Sequence, residues 1–251
     1  MTRHLTILTG ASRGMGLAMA EQLLDAGHDL LCISRHRNDA LGLSASSAGR
    51  RCEQWAHDLS LADAAGTKLE SWLAAQEQQD FATVTLINNA GLLPRIAPLG
   101  AVSTRDLTMA MRVDLEAPMI LTSVFLRATE AWPGMRKVLN ISSGLGRRAM
   151  AAQAPYCAAK AGMDHFTRCV ALEEAGRPNG AKVCSLAPGV IDTDMQVELR
   201  NADAARFPDI GSFIGLKDKG ALSTPSDAAA KVLAILRRAD FGSNPVADVR
   251  D

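Results

Sequence analysis

Residues Leu5 to Gly16 read LTILTGASRGMG, a short apolar run that breaks at Thr9-Gly10-Ala11-Ser12-Arg13-Gly14-Met15-Gly16 and then opens an amphipathic helical pattern. The order strand, glycine turn, helix has a physical consequence. Glycines let the backbone turn tightly and approach a pyrophosphate, whose charge then meets the free N–H groups at the helix start. Gly10, Ser12, Arg13, Gly14, Met15 and Gly16 are therefore expected to contact a dinucleotide. For the turn taken alone, a plain strand-to-helix connection is the alternative.

Outward from that turn, short β-rich runs alternate with helix-period segments, the sequence sign of a parallel sheet covered on both faces. Strands are predicted at 4–9, 29–34, 52–57, 84–88, 137–141, 182–186 and, at the far end, 245–249. Helical patterns are predicted at 14–26, 61–78, 104–132, 155–175, 192–201 and 225–239. Together they predict an α/β fold: one Rossmann-type, doubly wound parallel sheet of about seven strands occupying residues 1–251. The Ser44 to Gly49 cluster reads as a loop, and neither an internal repeat nor an interdomain linker is apparent. The stretch 198–224, interrupted by Gly211, Gly215 and Gly220, follows the sixth strand at the carboxyl edge, where a substrate lid is expected.

Lys plus Arg and Asp plus Glu number 27 each, so no net field draws the chain to nucleic acid or to an anionic membrane. No apolar stretch is long enough for an ordinary membrane span. The five cysteines (Cys32, Cys52, Cys157, Cys169, Cys184) are scattered and never form C-x-x-C, which suggests neither a disulfide framework nor a zinc site and fits a reducing cytoplasm. The histidines share no metal-ligand spacing, so no metal is expected. Trp55, Trp72 and Trp132 read as core or interface residues.

About 20 residues beyond the glycine turn, an NAD site places an acid on the ribose 2′-hydroxyl, but Cys32 to Arg37 reads CISRHR. Arg35 occupies that place. With Arg13 it is expected to clamp a 2′-phosphate through charge-assisted hydrogen bonds, which selects NADP(H). Both arginines as ordinary surface charges is the competing reading.

Tyr156 is the sole tyrosine, and Lys160 follows it at i+4 on a helical pattern, so the two share a face. A phenol with an ordinary pKa near 10 is a poor proton shuttle at neutral pH, and a nearby cation lowers it. Ser143, just beyond a predicted strand, is positioned to hold a carbonyl oxygen beside that phenol. Taken without the glycine turn and Ser143, the pair reads as an ordinary half-buried tyrosine with a solvated lysine.

TGASRGMG (9–16), Asp58-Leu59, NNAG (88–91), ISS (141–143), YCAAK (156–160) and PGVIDT (188–193) resemble, in order and spacing, the motifs of the short-chain dehydrogenase/reductase family. The resemblance implies that Ser143, Tyr156 and Lys160 are catalytic and that Lys160 also bonds the nicotinamide ribose. It puts Asp58, Leu59, Asn89, Ala90, Gly91, Pro188, Gly189, Val190 and Thr193 along the cofactor. The family usually carries Asn in its fourth helix, in a proton relay through the backbone carbonyl; this chain has Val113-Asp114, so Asp114 joins the catalytic set as a possible added charge near Lys160. Within the family, LINNAG (86–91), DTDMQ (192–196), LKDKGAL (216–222) and Asp248 resemble sepiapterin reductases and bacterial benzil or diketone reductases. Leu145, Met150, Met195, Phe213 and Asp248 are the candidate substrate contacts, Asp248 by its resemblance to a pterin anchor. The implied activity is NADPH-dependent reduction of a ketone or vicinal diketone on a small molecule, with pterin reduction, a non-catalytic NADP-sensing protein and an extended-type epimerase or dehydratase as alternatives. Family members often form homodimers or homotetramers through the fourth and fifth helices.

Overall fold

The computed structural model describes residues 3–251. Seven parallel strands form one sheet: β1 (Arg3–Thr9), β2 (His28–Ser34), β3 (Cys52–Ala56), β4 (Phe81–Asn88), β5 (Met135–Ile141), β6 (Lys182–Ala187) and β7 (Val246–Asp248). Their order is β3-β2-β1-β4-β5-β6-β7, so the chain reverses direction across the sheet between β1 and β4. Ligands of open α/β sheets bind at such a switch point, beyond the carboxyl ends of the strands.

Consecutive residues of β1 explain why the strands read as unbroken apolar runs. Leu8 packs into the core on one face and Ile7 into the core on the other, because successive side chains of a strand point to opposite sides and both sides are covered. One face is covered by α1 (Gly14–Asp25), α2 (Asp39–Ser47) and α9 (Pro225–Arg237), with Met19, Leu23, Val232 and Leu233 buried against it. The other carries α3 (Ala62–Ala74), α5 (Ala117–Ala128) and α6 (Ala154–Ala175), where Leu69, Leu121, Phe125 and Val170 are buried. A third, smaller apolar cluster of Ala152, Leu199, Phe207 and Phe213 lies under α7 (Asp194–Arg200) and α8 (Ile210–Asp218).

The long helix expected over 104–132 is broken. α4 (Thr104–Met111) passes into a π-helical turn over Arg112–Glu116 before α5. There the Ala117 N–H donates to the Arg112 carbonyl, five residues back, and Pro118 has no N–H to offer the Asp114 carbonyl four residues before it. Such turns often mark functional sites, and this one buries Asp114. The expected loop at Ser44 to Gly49 is corrected too: residues through Ser47 belong to α2, whose first turn is capped by Asn38 Oδ1 accepting from the Leu41 N–H at 3.1 Å. The irregular stretch after β6 contains α8, held by the buried Phe213. Among the described residues, no helix is long and apolar enough to cross a membrane.

Candidate active site

A cleft of about 1200 Å³ runs along the carboxyl edge of the sheet. Its near wall is the glycine turn, where Gly10 (φ 70°) and Gly14 (φ 57°) adopt left-handed backbone. No side chain caps the start of α1, so its first-turn N–H groups, at cleft-lining Gly14, Met15 and Gly16, have no side-chain partner. This is the arrangement a pyrophosphate fits. The turn is fastened on both sides: the Ala11 N–H donates to Ser34 Oγ at 2.9 Å, and Asn38 Nδ2 donates to the Ser12 carbonyl at 3.2 Å.

Asn89 is the buckle between the turn and β4. Its Nδ2 donates to the carbonyls of Thr9 (3.0 Å) and Gly10 (3.3 Å), while the N–H groups of Asn89 and Ala90 both reach Thr9 Oγ1 at 2.9 Å. Deeper in, Asn88 Nδ2 donates to Asn140 Oδ1 (2.8 Å) and Thr122 Oγ1 (3.1 Å), and Asn140 Nδ2 donates to Thr167 Oγ1 (2.9 Å). That buried amide chain ties β4 and β5 to α5 and α6.

The remaining expected cofactor residues also line the cleft: Ser12, Arg13, Arg35, Asp58, Leu59, Gly91, Pro188, Gly189, Val190 and Thr193. Asp58 accepts from the Ser60 N–H at 2.9 Å, and this bond, with Arg35 nearby, holds its carboxyl below the ordinary value. Arg35 is exposed at the rim. Arg13 is engaged with Asp194 at 2.6 Å, each side chain 69% exposed, a pair that contributes little in water and that a phosphate can compete for.

Ser143, Tyr156 and Lys160 meet at the cleft floor. Ser143 follows β5 and accepts from the Leu145 N–H at 3.2 Å, which leaves its hydroxyl proton free on the cleft side that it shares with the Tyr156 phenol. Tyr156 and Lys160 lie on the first two turns of α6. Lys160 is 4% exposed and its Nζ donates to the Ile141 carbonyl at 3.0 Å; it lies 5.6 Å from the Tyr156 ring centre. In the protein alone, the phenol is held above its ordinary value, first by burial and then by the negative charge of Asp114, with Ser143 pulling the other way. The lowering expected from Lys160 does not govern that balance; burial lowers the Lys160 ammonium itself, opposed by Asp114 and Asp164.

Asp114 is fully buried behind the cleft wall rather than in it. Its Oδ1 accepts from the Leu92 N–H at 2.9 Å, and Oδ2 has no partner. Gly91 leaves the space: a Cβ there would sit 2.9 Å from Asp114 Oδ1 and 3.8 Å from Lys160 Nζ. Burial pushes the Asp114 carboxyl up to about 6, against the pull of Lys160. Among the substrate candidates, Leu145, Met195, Phe213 and Asp248 line the cleft, while Met150 packs on the apolar cluster behind it. Asp248 is bound through both oxygens by Arg250, at 2.7 and 2.6 Å, which holds its carboxyl below the ordinary value. Sequence reasoning missed Asp164, a buried carboxylate one turn beyond Lys160 that accepts from Ser185 Oγ at 2.6 Å, as well as Gln153 and Gln196 in the cleft wall. The i+4 step from Lys160 was the available signal for Asp164.

A doubly wound sheet with an uncapped glycine turn at its switch point, and a serine, tyrosine and lysine converging beside it, defines a nicotinamide-dependent oxidoreductase. Comparison with known proteins narrows the class: a family model for short chain dehydrogenases matches residues 4–204, and the chain belongs to that family. It is 33% identical over 240 residues to a benzil reductase ((S)-benzoin forming) of Bacillus cereus, covering 96% of each chain. It is 34% identical over 270 residues to the sepiapterin reductase of Bos taurus, covering 99% of this chain and 95% of that one. The crystal structure of a metagenomic short-chain oxidoreductase in complex with NADP superposes with a TM-score of 0.72 at 25% identity, covering 98% of this chain and 94% of that one.

Proposed function

We propose that the protein is an NADPH-dependent carbonyl reductase that acts on ketones and vicinal diketones. The observation that carries the reading is the convergence of Ser143, Tyr156 and Lys160 at the floor of the cleft that begins at the glycine turn. The nicotinamide, when bound, supplies the hydride for the carbonyl carbon. Ser143 donates to the carbonyl oxygen as charge develops on it, and Tyr156 gives that oxygen its phenolic proton. Lys160, anchored on the Ile141 carbonyl, supplies the positive charge that stabilises the phenolate left behind. The segment 198–224 closes over the substrate as a lid, its apolar cluster forming one wall. NADPH oxidation followed with a panel of diketones, ketones and pterins tests the reading: diketones and ketones should turn over. Turnover of pterins alone would favour the sepiapterin-type alternative, which the engagement of Asp248 by Arg250 argues against.

NADP(H) selection is assigned to Arg35. Replacing Arg35 with Ser is expected to raise the NADPH Kd by about 10–100-fold, the worth of a charge-assisted contact, and to leave NADH binding within about threefold. Fluorescence titration with the two cofactors reads the ratio. An unchanged ratio would make Arg35 an ordinary surface charge.

Asp114 is assigned a positioning role through Lys160. The Asp114→Asn variant is expected to retain turnover with a changed pH profile of kcat/KM. The inflection near pH 6 disappears with the carboxyl. The alkaline limb, where the phenol loses the proton it must donate, moves to lower pH because the anion that raises the Tyr156 value is gone. The stability effect has a definite sign as well. A carboxyl whose folded-state value is raised stabilises below its unfolded value and loses that contribution as pH rises through about 6, so the Asn variant should lose less stability between pH 4 and 7. Superimposable activity profiles would remove Asp114 from the relay.

A further inference from the structure

The cleft wall contains a buried amide that the proposed chemistry does not use. Gln153 lines the cleft, is 1% exposed, and has no hydrogen-bond partner for either Nε2 or Oε1. Buried side-chain amides nearly always find partners, and two unpaired atoms on one side chain ask for an explanation. The backbone holds the residue firmly in this position. Ala152, just before it, has φ 60°, a left-handed conformation that a residue with a Cβ adopts only under constraint and that clusters at ligand sites. The Ala152 carbonyl is fixed by the Ala97 N–H at 3.2 Å, and the Gln153 carbonyl by the Cys157 N–H at 2.9 Å. A second amide in the same wall repeats the feature: Gln196 on α7 is 7% exposed and its Oε1 is buried without a partner.

Gln153 is the N-cap residue at which α6 begins, three before Tyr156, and both side chains line the cleft. The surrounding substrate wall, with Leu145, Met195, Leu199 and Phe213, offers apolar contact to the rest of a substrate. We propose that Gln153 is the specificity-determining residue of the site: its Nε2–H donates to a second oxygen on the carbon adjacent to the reacting carbonyl, so that the enzyme selects 1,2-diketones and α-hydroxyketones over simple ketones. The two oxygens of such a substrate sit on adjacent carbons, so one cleft can offer a separate donor to each. Tyr156 and Ser143 take the reacting oxygen, and Gln153 takes its neighbour. Sites built to hydrogen-bond a substrate group discriminate strongly against analogues that lack it. The inference rests on the carbonyl-reductase reading above.

The test pairs benzil with deoxybenzoin, in which a methylene replaces the second carbonyl, and compares each variant with wild type on the same substrate so that the intrinsic reactivities cancel. Gln153→Met keeps the shape and removes both polar atoms. It is expected to lower kcat/KM for benzil by about 10–100-fold and to change that for deoxybenzoin by less than about threefold. If the Met variant does not fold, Gln153→Leu carries the same comparison. Equal losses on the two substrates, or no loss on benzil, overturn the inference while the reductase reading stands. A wild-type protein that oxidises NADPH with neither substrate overturns both.

Discussion

Replacing Tyr156 with Phe is expected to lower kcat for carbonyl reduction by about a thousandfold, within the 10²–10⁴ range of a lost general acid, while the NADPH Kd changes by less than about threefold. The substitution removes one oxygen. The ring stays buried among the same neighbours, and the glycine turn and Asn89 buckle at the other end of the cleft are untouched. Chemistry and binding should therefore separate cleanly, and single-turnover kinetics with cofactor titration reads both. Because Tyr156 is the sole tyrosine, ultraviolet titration of the folded protein reports its ionisation without interference. The protein alone should titrate above the ordinary phenol value, as burial and Asp114 dictate. Bound NADP⁺ should bring it down toward neutrality, its cationic ring adding to the Lys160 charge. Near-normal turnover of the Phe variant would remove Tyr156 as the proton donor, and a phenol that stays above 10 with NADP⁺ bound would contradict its activation by Lys160.

The sheet was legible because of how parallel strands are buried. A strand covered on both faces has no polar side to show, so β1, β2, β4, β5 and β6 stand out as apolar runs ended by glycine, serine, asparagine or proline. Helices were harder where something other than periodicity stabilises them. α2 reads DALGLSASS, too short and serine-rich for propensity to reveal it; Asn38 caps it and Leu41 and Ala45 bury its inner face. The π turn at Arg112–Glu116 was hidden for the opposite reason. Its residues continue a helical pattern without glycine or proline, and the only cue lies downstream at Pro118.

The cleft was legible to the extent that its residues carry spacing. Tyr156 and Lys160 are one helical turn apart, Ser143 ends a strand, and the glycines follow one, so topology brings them together at the sheet edge. Tertiary partners carry no such mark. Arg13 finds Asp194 181 residues away, Asp114 finds the Leu92 N–H and the Lys160 ammonium through a helix irregularity, and Asp248 is taken by Arg250. In each case a charged side chain reads as available in the sequence and is engaged in the fold. Gln153 is the reverse: an unremarkable residue in the sequence, left unpaired by the fold in the cleft wall.

Gly16→Ala is expected to damage the scaffold at the cleft itself, for reasons that concern neither charge nor chemistry. A Cβ at position 16 would lie inside the carbonyl oxygen of Gly10, 2.8 Å from its carbon and 2.6 Å from Asn89 Nδ2. The carbonyl cannot withdraw without opening the turn, since the Gly10 N–H is fixed to the Ile33 carbonyl at 2.8 Å. Asn89 cannot withdraw without giving up its bonds to Thr9 and Gly10. Overpacking against backbone costs about 1–3 kcal/mol, and unmaking the Asn89 contacts adds about 1 kcal/mol or more. For a chain of this size that total corresponds to a fall in Tm of roughly 5–15 °C. Because the displaced atoms form the near wall of the cleft, NADPH affinity should fall by more than about 100-fold in the same variant, which thermal unfolding with and without NADPH measures directly. Gly211→Ala is the control. It lies in α8 with no atom within 4 Å of the added Cβ, where alanine should be neutral or stabilising by up to about 1 kcal/mol. If Gly16→Ala matched that control in Tm and in the shift NADPH produces, the turn would have slack that its contacts deny, and the close approach of backbone to pyrophosphate at this end of the cleft would have to be abandoned.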